Sequence, residues 1–104
     1  QGGDRASARF VLNQIMQSDQ EWLRRSAARS LKQIDALDMM DALRGRVAAY
    51  PPSPPQPYSW EWLVRRGALP GIPLDPAGAP YAIDPVSGEV SVSAQSELYP
   101  MPGG

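Results

Sequence analysis

The chain has 104 residues, enough for one domain that buries about two thirds of the surface its unfolded form exposes. Ten lysine and arginine residues stand against eleven aspartates and glutamates, for a net charge of -1. Bulk electrostatics therefore favour neither nucleic acid nor an anionic membrane as a partner. Cysteine and histidine are absent, which excludes disulfides, thiolate zinc sites and the commonest general base. We expect no cofactor, no metal and no enzymatic activity.

Membrane and targeting signals are also missing from this stretch of sequence. No apolar run approaches the roughly 20 residues that cross a bilayer, and the first residues lack a signal-peptide pattern. We therefore expect no direct membrane insertion by this fragment. Lys32 is the single lysine among the ten basic residues, which is typical of a GC-rich bacterial genome. Localisation stays open, and the extracytoplasmic part of an anchored protein is one alternative.

All twelve prolines follow residue 50, and this change in composition divides the chain. Residues 1–50 are predicted to form a helical part, and residues 51–104 are predicted to pack on it within one domain. An apolar stripe at helical spacing predicts a first helix over residues 5–17. Ser18 and Glu21 have the spacing of a capping box, which predicts that a second helix begins at about residue 19.

The helical pattern then continues as far as Tyr50, so that residues 19–50 would form a rod roughly 48 Å long if they were one helix. That length exceeds the diameter expected for a domain of this size. We therefore expect a break near Gln33 to Asp35, with Asp35 capping a third helix. Gly45 inside this third helix either marks a close contact or has no structural role.

The proline-rich stretch over residues 51–57 predicts an extended strap that carries the chain back along the helices. Pro52 and Pro55 also form a P-x-x-P pattern, so a ligand for an aromatic-lined groove is the alternative interpretation. Ser59 is a predicted N-cap for a short fourth helix over about residues 60–66. Gly67 then fits the left-handed position that follows a helix end.

A tight turn and a β-hairpin are predicted next. Strands over residues 81–84 and 89–93 are joined by a loop in which Gly88 takes a positive φ. The Asp75 carboxylate is expected to accept hydrogen bonds from the backbone ahead of it. Six residues are assigned a structural role in these turns: Asp75, Pro76, Gly78, Pro80, Tyr81 and Gly88. In the tail, Leu98, Tyr99 and Met101 are expected to hold the chain to the domain. The predicted fold is thus mainly α with a two- or three-stranded antiparallel sheet, an α+β class.

Tryptophans are the candidate contact residues for a protein partner, because aromatic side chains dominate binding hot spots. The candidates are Trp22, Trp60 and Trp62. Trp60 and Trp62 are two positions apart on a short helix, so one is expected to pack inside and the other to lie at the rim. The alternative is that all three are buried. Met39 and Met40 are interpreted as core-filling residues.

Three aspartates, Asp35, Asp38 and Asp41, share one predicted helix face. They are interpreted as a solvated face opposite Arg44 and Arg46, with a divalent cation site as the weaker alternative. The serines of the second half have no histidine to activate them, so nucleophilic catalysis is not expected.

The sequence resembles the C-terminal tail region of bacterial tetratricopeptide-repeat proteins. The resemblance covers residues 37–92, including VAAYPP and SWEWLVRRGALPGIPLDPAGAPY, and the upstream stretch ARFVLNQIMQSDQEWLRRSAARSL resembles a closing repeat pair. The element DPAGAPY is also similar to one in type II secretion pseudopilin heads, although Ala77 replaces the tryptophan usual there. By that similarity Asp84 and Glu89 are weak candidates for calcium, since the family's spacing is not reproduced.

These resemblances imply a non-enzymatic structural or protein-interaction module that caps a tetratricopeptide-like scaffold. A pseudopilin-like subunit of a bacterial secretion or pilus apparatus is the alternative, although no hydrophobic pilin helix is present. A protein partner is expected, and nucleic acid is not. The sequence immediately upstream discriminates between the scaffold and pseudopilin interpretations. Repeats of about 34 residues indicate a scaffold, and a leader followed by one apolar helix indicates a pseudopilin.

Overall fold

The computed structural model describes residues 2–102 and contains three helices and one pair of short strands. The helices are α1 (Gly2–Ile15), α2 (Glu21–Ala48) and α3 (Trp60–Arg65), and the strands are β1 (Ala82–Ile83) and β2 (Val90–Ser91). The strands pair antiparallel, with Ala82 opposite Ser91 and Ile83 opposite Val90. The predicted class, mainly α with a small antiparallel sheet, is confirmed.

Helices α1 and α2 form an antiparallel hairpin. Arg5 of α1 pairs with Asp38 and Asp41 of α2, whereas Arg9, one turn later, pairs with Asp35 and Asp38. The predicted capping box is wrong, because the Ser18 Oγ accepts a hydrogen bond from the Gln20 N–H and Gln20 itself is the N-cap of α2. The Glu21 carboxylate instead pairs with Arg25 one turn along the helix.

The predicted break near Gln33 to Asp35 is also wrong, since α2 runs unbroken for 28 residues. The Asp35 carboxylate accepts a hydrogen bond from Arg9 and caps no helix end. The molecule measures 54 × 27 × 24 Å, so it accommodates the long helix by being elongated. Gly45 makes no close contact, since a Cβ placed there would have no heavy atom within 4 Å.

The hydrophobic core lies between the second half of α2 and residues that follow the proline-rich stretch. Met40, Leu43 and Val47 supply the α2 side of this core. The facing side chains are all buried: Trp60, Leu63, Ala68, Tyr81, Val90, Val92 and Leu98. Residues from both sides of residue 50 thus share one apolar cluster.

Helix α3 begins and ends as its sequence predicts. The Ser59 Oγ accepts a hydrogen bond from the Trp62 N–H at 3.1 Å, which satisfies one free donor at the helix start. Gly67 follows the helix end with a φ of 86°, a left-handed conformation that favours glycine.

The proline-rich stretch is folded around a turn and does not form the predicted extended strap. The Gln56 N–H donates to the Ser53 carbonyl at 2.9 Å, and the chain turns at residues 54–55. Two positions further on, the Tyr58 N–H donates to the Pro85 carbonyl at 2.9 Å. The stretch is therefore tied to the β-hairpin loop, and its turn removes the straight P-x-x-P geometry that the ligand interpretation requires.

Candidate functional site

The three candidate tryptophans lie in three different environments. Trp60 is buried, and its indole N–H donates to the Tyr81 carbonyl at 2.8 Å, so it is a core residue and not a partner contact. Trp62 is half-buried beneath the Arg66 guanidinium, which lies 5.8 Å from the ring centroid. Trp22 is 67% exposed near the start of α2. Trp22 and Trp62 therefore remain candidates for contact with a partner.

The aspartate row on α2 is exposed, as predicted, and Asp41 pairs with Arg44, but the row also forms ion pairs with Arg5 and Arg9 of α1. Asp38 lies at its centre, with carboxylate oxygens 2.8 Å from an Arg5 nitrogen and 2.6 Å from an Arg9 nitrogen. Hydrogen bonds from Arg9 and then from Arg5 hold the pKa of Asp38 below its ordinary value. The row therefore joins two helices by ion pairs.

Carboxylates at the β-hairpin also have partners in the protein. The Asp84 Oδ1 accepts hydrogen bonds from the backbone N–H groups of Val86 and Ser87, each at 2.8 Å. These bonds, with Ser87 as the larger contributor, lower the pKa of Asp84. Glu89 lies 3.4 Å from Arg44. Within residues 2–102, no group of three or more acidic side chains could hold a metal ion.

The predicted turn at Asp75 is organised around a buried carboxylate. Its Oδ1 accepts from the N–H groups of Ala77 and Ala79, at 2.8 and 3.1 Å. Its Oδ2 accepts from the Ser96 hydroxyl at 2.6 Å. Gly78 within the turn has a φ of 93°, as predicted. Two of these bonds hold backbone N–H groups of the turn and the third joins the turn to Ser96, so the carboxylate has a structural role.

Tyr81 follows this turn and is buried. Burial, with smaller contributions from the charges of Asp75 and Asp35, raises the pKa of Tyr81 to about 12. Its hydroxyl lies 3.4 Å from the Met39 sulfur. The tyrosine is therefore neutral at physiological pH and packs as a core residue. Met40 is a core residue too, whereas Met39 is 37% exposed.

An apolar groove of about 550 Å³ opens where α1, α2 and the C-terminal tail meet. Its lining includes Val11 and Leu12 of α1, Ser30 and Ile34 of α2, and Pro102 of the tail. Sequence reasoning missed this groove. The stripe of Ala8, Val11 and Leu12 was the available signal, but nothing local indicates that the tail lies across α2.

A smaller cavity of about 240 Å³ lies further along α2. Leu37 and Met40 form its floor, and Val90 and Val92 form one side. Pro102 lines this cavity as well as the larger groove, so the end of the tail lies between them.

The tail reaches this position through hydrogen bonds from α2. Gln33 is buried, and its amide donates to the carbonyls of Leu98 at 2.9 Å and Pro100 at 3.3 Å. Arg29, one turn earlier, donates to the carbonyls of Glu97 and Tyr99. Of the predicted tail anchors, Leu98 is fully buried and Met101 packs at the edge of the core, whereas Tyr99 is 52% exposed.

Comparisons with protein-family models, with curated proteins and with solved structures returned no match for this chain. Among the described helices, none has the length and apolar character needed to cross a membrane.

Proposed function

We propose that this chain is a non-enzymatic protein-interaction module that closes a tetratricopeptide-like helical scaffold. The observation that carries the proposal is the exposed apolar surface of α1. Phe10 is 67% exposed in the middle of a regular helix, and it lies outside the groove that Val11 lines. Large apolar side chains in such a position are typical of a surface that a neighbouring element covers.

The α2 side of the helical hairpin is covered and the outer side of α1 is not, and this difference supports a closing role. The second half of α2 is already covered by α3, the β-hairpin and the tail through the shared core. A further repeat could not stack there without displacing that core. The outer side of α1 is free within the described chain, so a preceding helical hairpin can stack on it. In repeat proteins each unit contacts only its neighbours, and the terminal unit has a distinct outer surface.

The proposal is tested by comparing Phe10→Ser in this chain with Phe10→Ser in a longer natural chain that includes the upstream segment. In residues 1–104 alone the side chain is exposed, and the substitution should leave the free energy of unfolding nearly unchanged. In the longer chain it should destabilise the fold by about 2 kcal/mol, because a buried phenylalanine is lost. Val86→Ser is the matched control, since Val86 is 87% exposed on the hairpin loop. A neutral Phe10→Ser in the longer chain contradicts the proposal.

A pseudopilin-like subunit is the second candidate. The arrangement of a long helix followed by the Asp75 turn and an antiparallel strand pair favours it. The upstream sequence discriminates between the two candidates. Repeats of about 34 residues support the scaffold, and a leader with one apolar helix supports the pseudopilin.

A further inference from the structure

The face of α2 that carries the hydrophobic core continues along the first half of the helix, where it is exposed. From Trp22 to Val47 the positions of this face recur at spacings of three and four residues, so they form one line along the helix. In the second half of α2 these positions are buried: Ala36, Met40, Leu43 and Val47. In the first half they are all exposed: Trp22, Arg25, Arg29 and Lys32. We name these four exposed residues the basic stripe, which is about 15 Å long.

The cations of the basic stripe are not neutralised by the part of the chain that the structure describes. Lys32 takes part in no ion pair there, and the Arg29 guanidinium donates only to two backbone carbonyls of the tail. Arg25 pairs with Glu21, but the two side chains are 79% and 66% exposed. Surface pairs of this kind contribute little and exchange partners easily. The stripe therefore presents positive charge to the solvent.

A further cavity, of about 350 Å³, lies beside these cations. Arg25, Arg29 and Lys32 line it from α2, and Glu97 and Leu98 line it from the tail. None of the three cations lines the larger apolar groove, so this cavity is a separate space. A carboxylate that enters the cavity can therefore approach all three cations from one side.

We propose that the basic stripe binds an acidic segment of a partner protein, whose carboxylates pair with Arg25, Arg29 and Lys32 while an apolar side chain packs on Trp22. The inference rests on the proposed interaction role and deepens it, because it names the chemistry of one partner and the surface that this partner occupies. Hydrogen bonds between a guanidinium and a carboxylate are stronger than those to the neutral carbonyls that Arg29 now contacts. Tryptophan and arginine are also the residues that most often dominate protein-binding surfaces.

A protein segment suits the stripe better than a nucleic acid does. Nucleic acids are held through many phosphate contacts, whereas this stripe offers three cations over about 10 Å. Glu21 lies beside Arg25, and Glu97 lines the cavity, so a long polyanion would meet carboxylates next to the cations. A segment with about three acidic side chains pairs with the cations without extending past them.

Two synthetic peptides of about eight residues test this proposal, since that length spans the stripe in an extended conformation. One peptide has a phenylalanine at each end and glutamates alternating with serines between them, and the other has glutamines in place of the glutamates. Calorimetry at low salt measures the binding of each peptide to residues 1–104. The glutamate peptide should bind more tightly by about tenfold or more, and should protect Trp22 from quenching by acrylamide. Its affinity should fall as the salt concentration rises, because exposed charges are then screened.

Paired substitutions locate the binding surface. Arg25→Gln together with Lys32→Gln removes two exposed cations of the stripe, and should weaken binding of the glutamate peptide by about tenfold or more. The matched control is Arg65→Gln together with Arg66→Gln, which removes the same charge at exposed positions at the end of α3. This control should leave the affinity within about twofold of the unsubstituted chain. Trp22→Ser should also weaken binding, because the apolar contact is lost.

Equal binding of the glutamate and glutamine peptides overturns the proposal, and so does the absence of binding by either. Binding that survives the loss of Arg25 and Lys32, or that falls equally in the α3 control, has the same consequence. A single-stranded DNA oligonucleotide with the charge of the glutamate peptide should bind more weakly than that peptide, and tighter binding would assign the stripe to nucleic acid instead.

The scaffold-closing role is tested separately, because its critical residue Phe10 lies on α1 and outside the basic stripe. Phe10→Ser should leave binding of the glutamate peptide to residues 1–104 unchanged. Either idea can therefore fail while the other stands.

Discussion

The Ser96 hydroxyl donates a 2.6 Å hydrogen bond to the Oδ2 of Asp75, across 21 positions of sequence and inside the protein. The same Ser96 Oγ accepts from the Leu98 N–H at 3.1 Å. One short polar chain therefore connects the turn before the β-hairpin to the tail after it. Because these groups are buried, breaking one of the bonds leaves a donor or acceptor with no hydrogen-bond partner, since water cannot reach it.

Asp75→Ala should be strongly destabilising. It leaves the N–H groups of Ala77 and Ala79 and the hydroxyl of Ser96 without their acceptor. We expect the free energy of unfolding in urea to fall by about 3 kcal/mol. Ser96→Ala removes one of the three donors to Asp75 and also leaves the Leu98 N–H without its acceptor, so it should destabilise the protein, but less than Asp75→Ala does. Equal losses for the two variants would show that the carboxylate does not organise the turn.

The glycines at positions 78 and 88 should differ in their tolerance of a side chain. Both have positive φ, so Gly78→Ala should cost about 1 kcal/mol through backbone strain alone. A Cβ at Gly88 would lie 2.9 Å from the Tyr58 ring, whereas one at Gly78 would meet nothing within 4 Å. Gly88→Ala should therefore be clearly the more destabilising in urea titration. Ser87→Ala, on the exposed loop, serves as the nearly neutral control.

The turns, the helix cap and the hairpin were predictable because each depends on a few adjacent residues. Ser59 can satisfy the Trp62 N–H only at a helix start, and Gly67 adopts a backbone conformation that other residues disfavour. The same local logic placed Gly88 in the loop between the strands. Such constraints are present in the sequence before any tertiary structure forms.

The unbroken α2 and the apolar groove between α1, α2 and the tail were not predictable in that way. The expected helix break came from an assumed compact shape, and the protein is 54 Å long. The role of Asp38 depends on Arg5 and Arg9, which lie 33 and 29 positions away. The groove depends on the tail lying across α2, where Gln33 donates to the Leu98 carbonyl across 65 positions. No local pattern identifies such partners, although the i, i+4 spacing of the two arginines was compatible with the aspartate row.

The ion pairs between α1 and α2 should make the hairpin sensitive to pH and salt. Asp38 has a folded-state pKa below its unfolded value of about 3.9, so its stabilising contribution is present above that pH. The contribution is lost as the pH falls through the folded-state pKa. Asp38→Asn should therefore be less stable than the wild type at pH 7, and the difference should shrink as the pH falls below the unfolded-state value. At 1 M salt, where screening acts over about 3 Å, the pH 7 difference should shrink.

Thermal melts followed by circular dichroism measure this difference. Asp19→Asn is a suitable control, because Asp19 is exposed and takes part in none of the ion pairs of the described chain. A pH 7 difference for Asp38→Asn that persists unchanged at 1 M salt would show that packing, and not charge, holds α1 in place.

Fluorescence quenching should separate the three tryptophans. Trp22 is 67% exposed, Trp62 is half-buried and Trp60 is 6% exposed. Trp22→Phe should therefore remove most of the emission that acrylamide quenches readily. Trp60→Phe should leave that fraction intact and lower stability by about 1–3 kcal/mol, because the buried Tyr81 carbonyl loses its donor. Rapid quenching that remains in Trp22→Phe would show that another tryptophan is open to solvent.

Residues 1–50 alone should not form a stable folded unit. Met40, Leu43 and Val47 are buried in the whole protein, and the buried side chains that face them come from residues 60–98. Removing that cover exposes an apolar stripe along the second half of α2, which favours self-association over an ordered monomer. Sedimentation and thermal melting of the fragment should show aggregation or a gradual loss of helix. A monomeric fragment with a sharp melt would mean that the hairpin of α1 and α2 folds independently and that the shared core is dispensable for it.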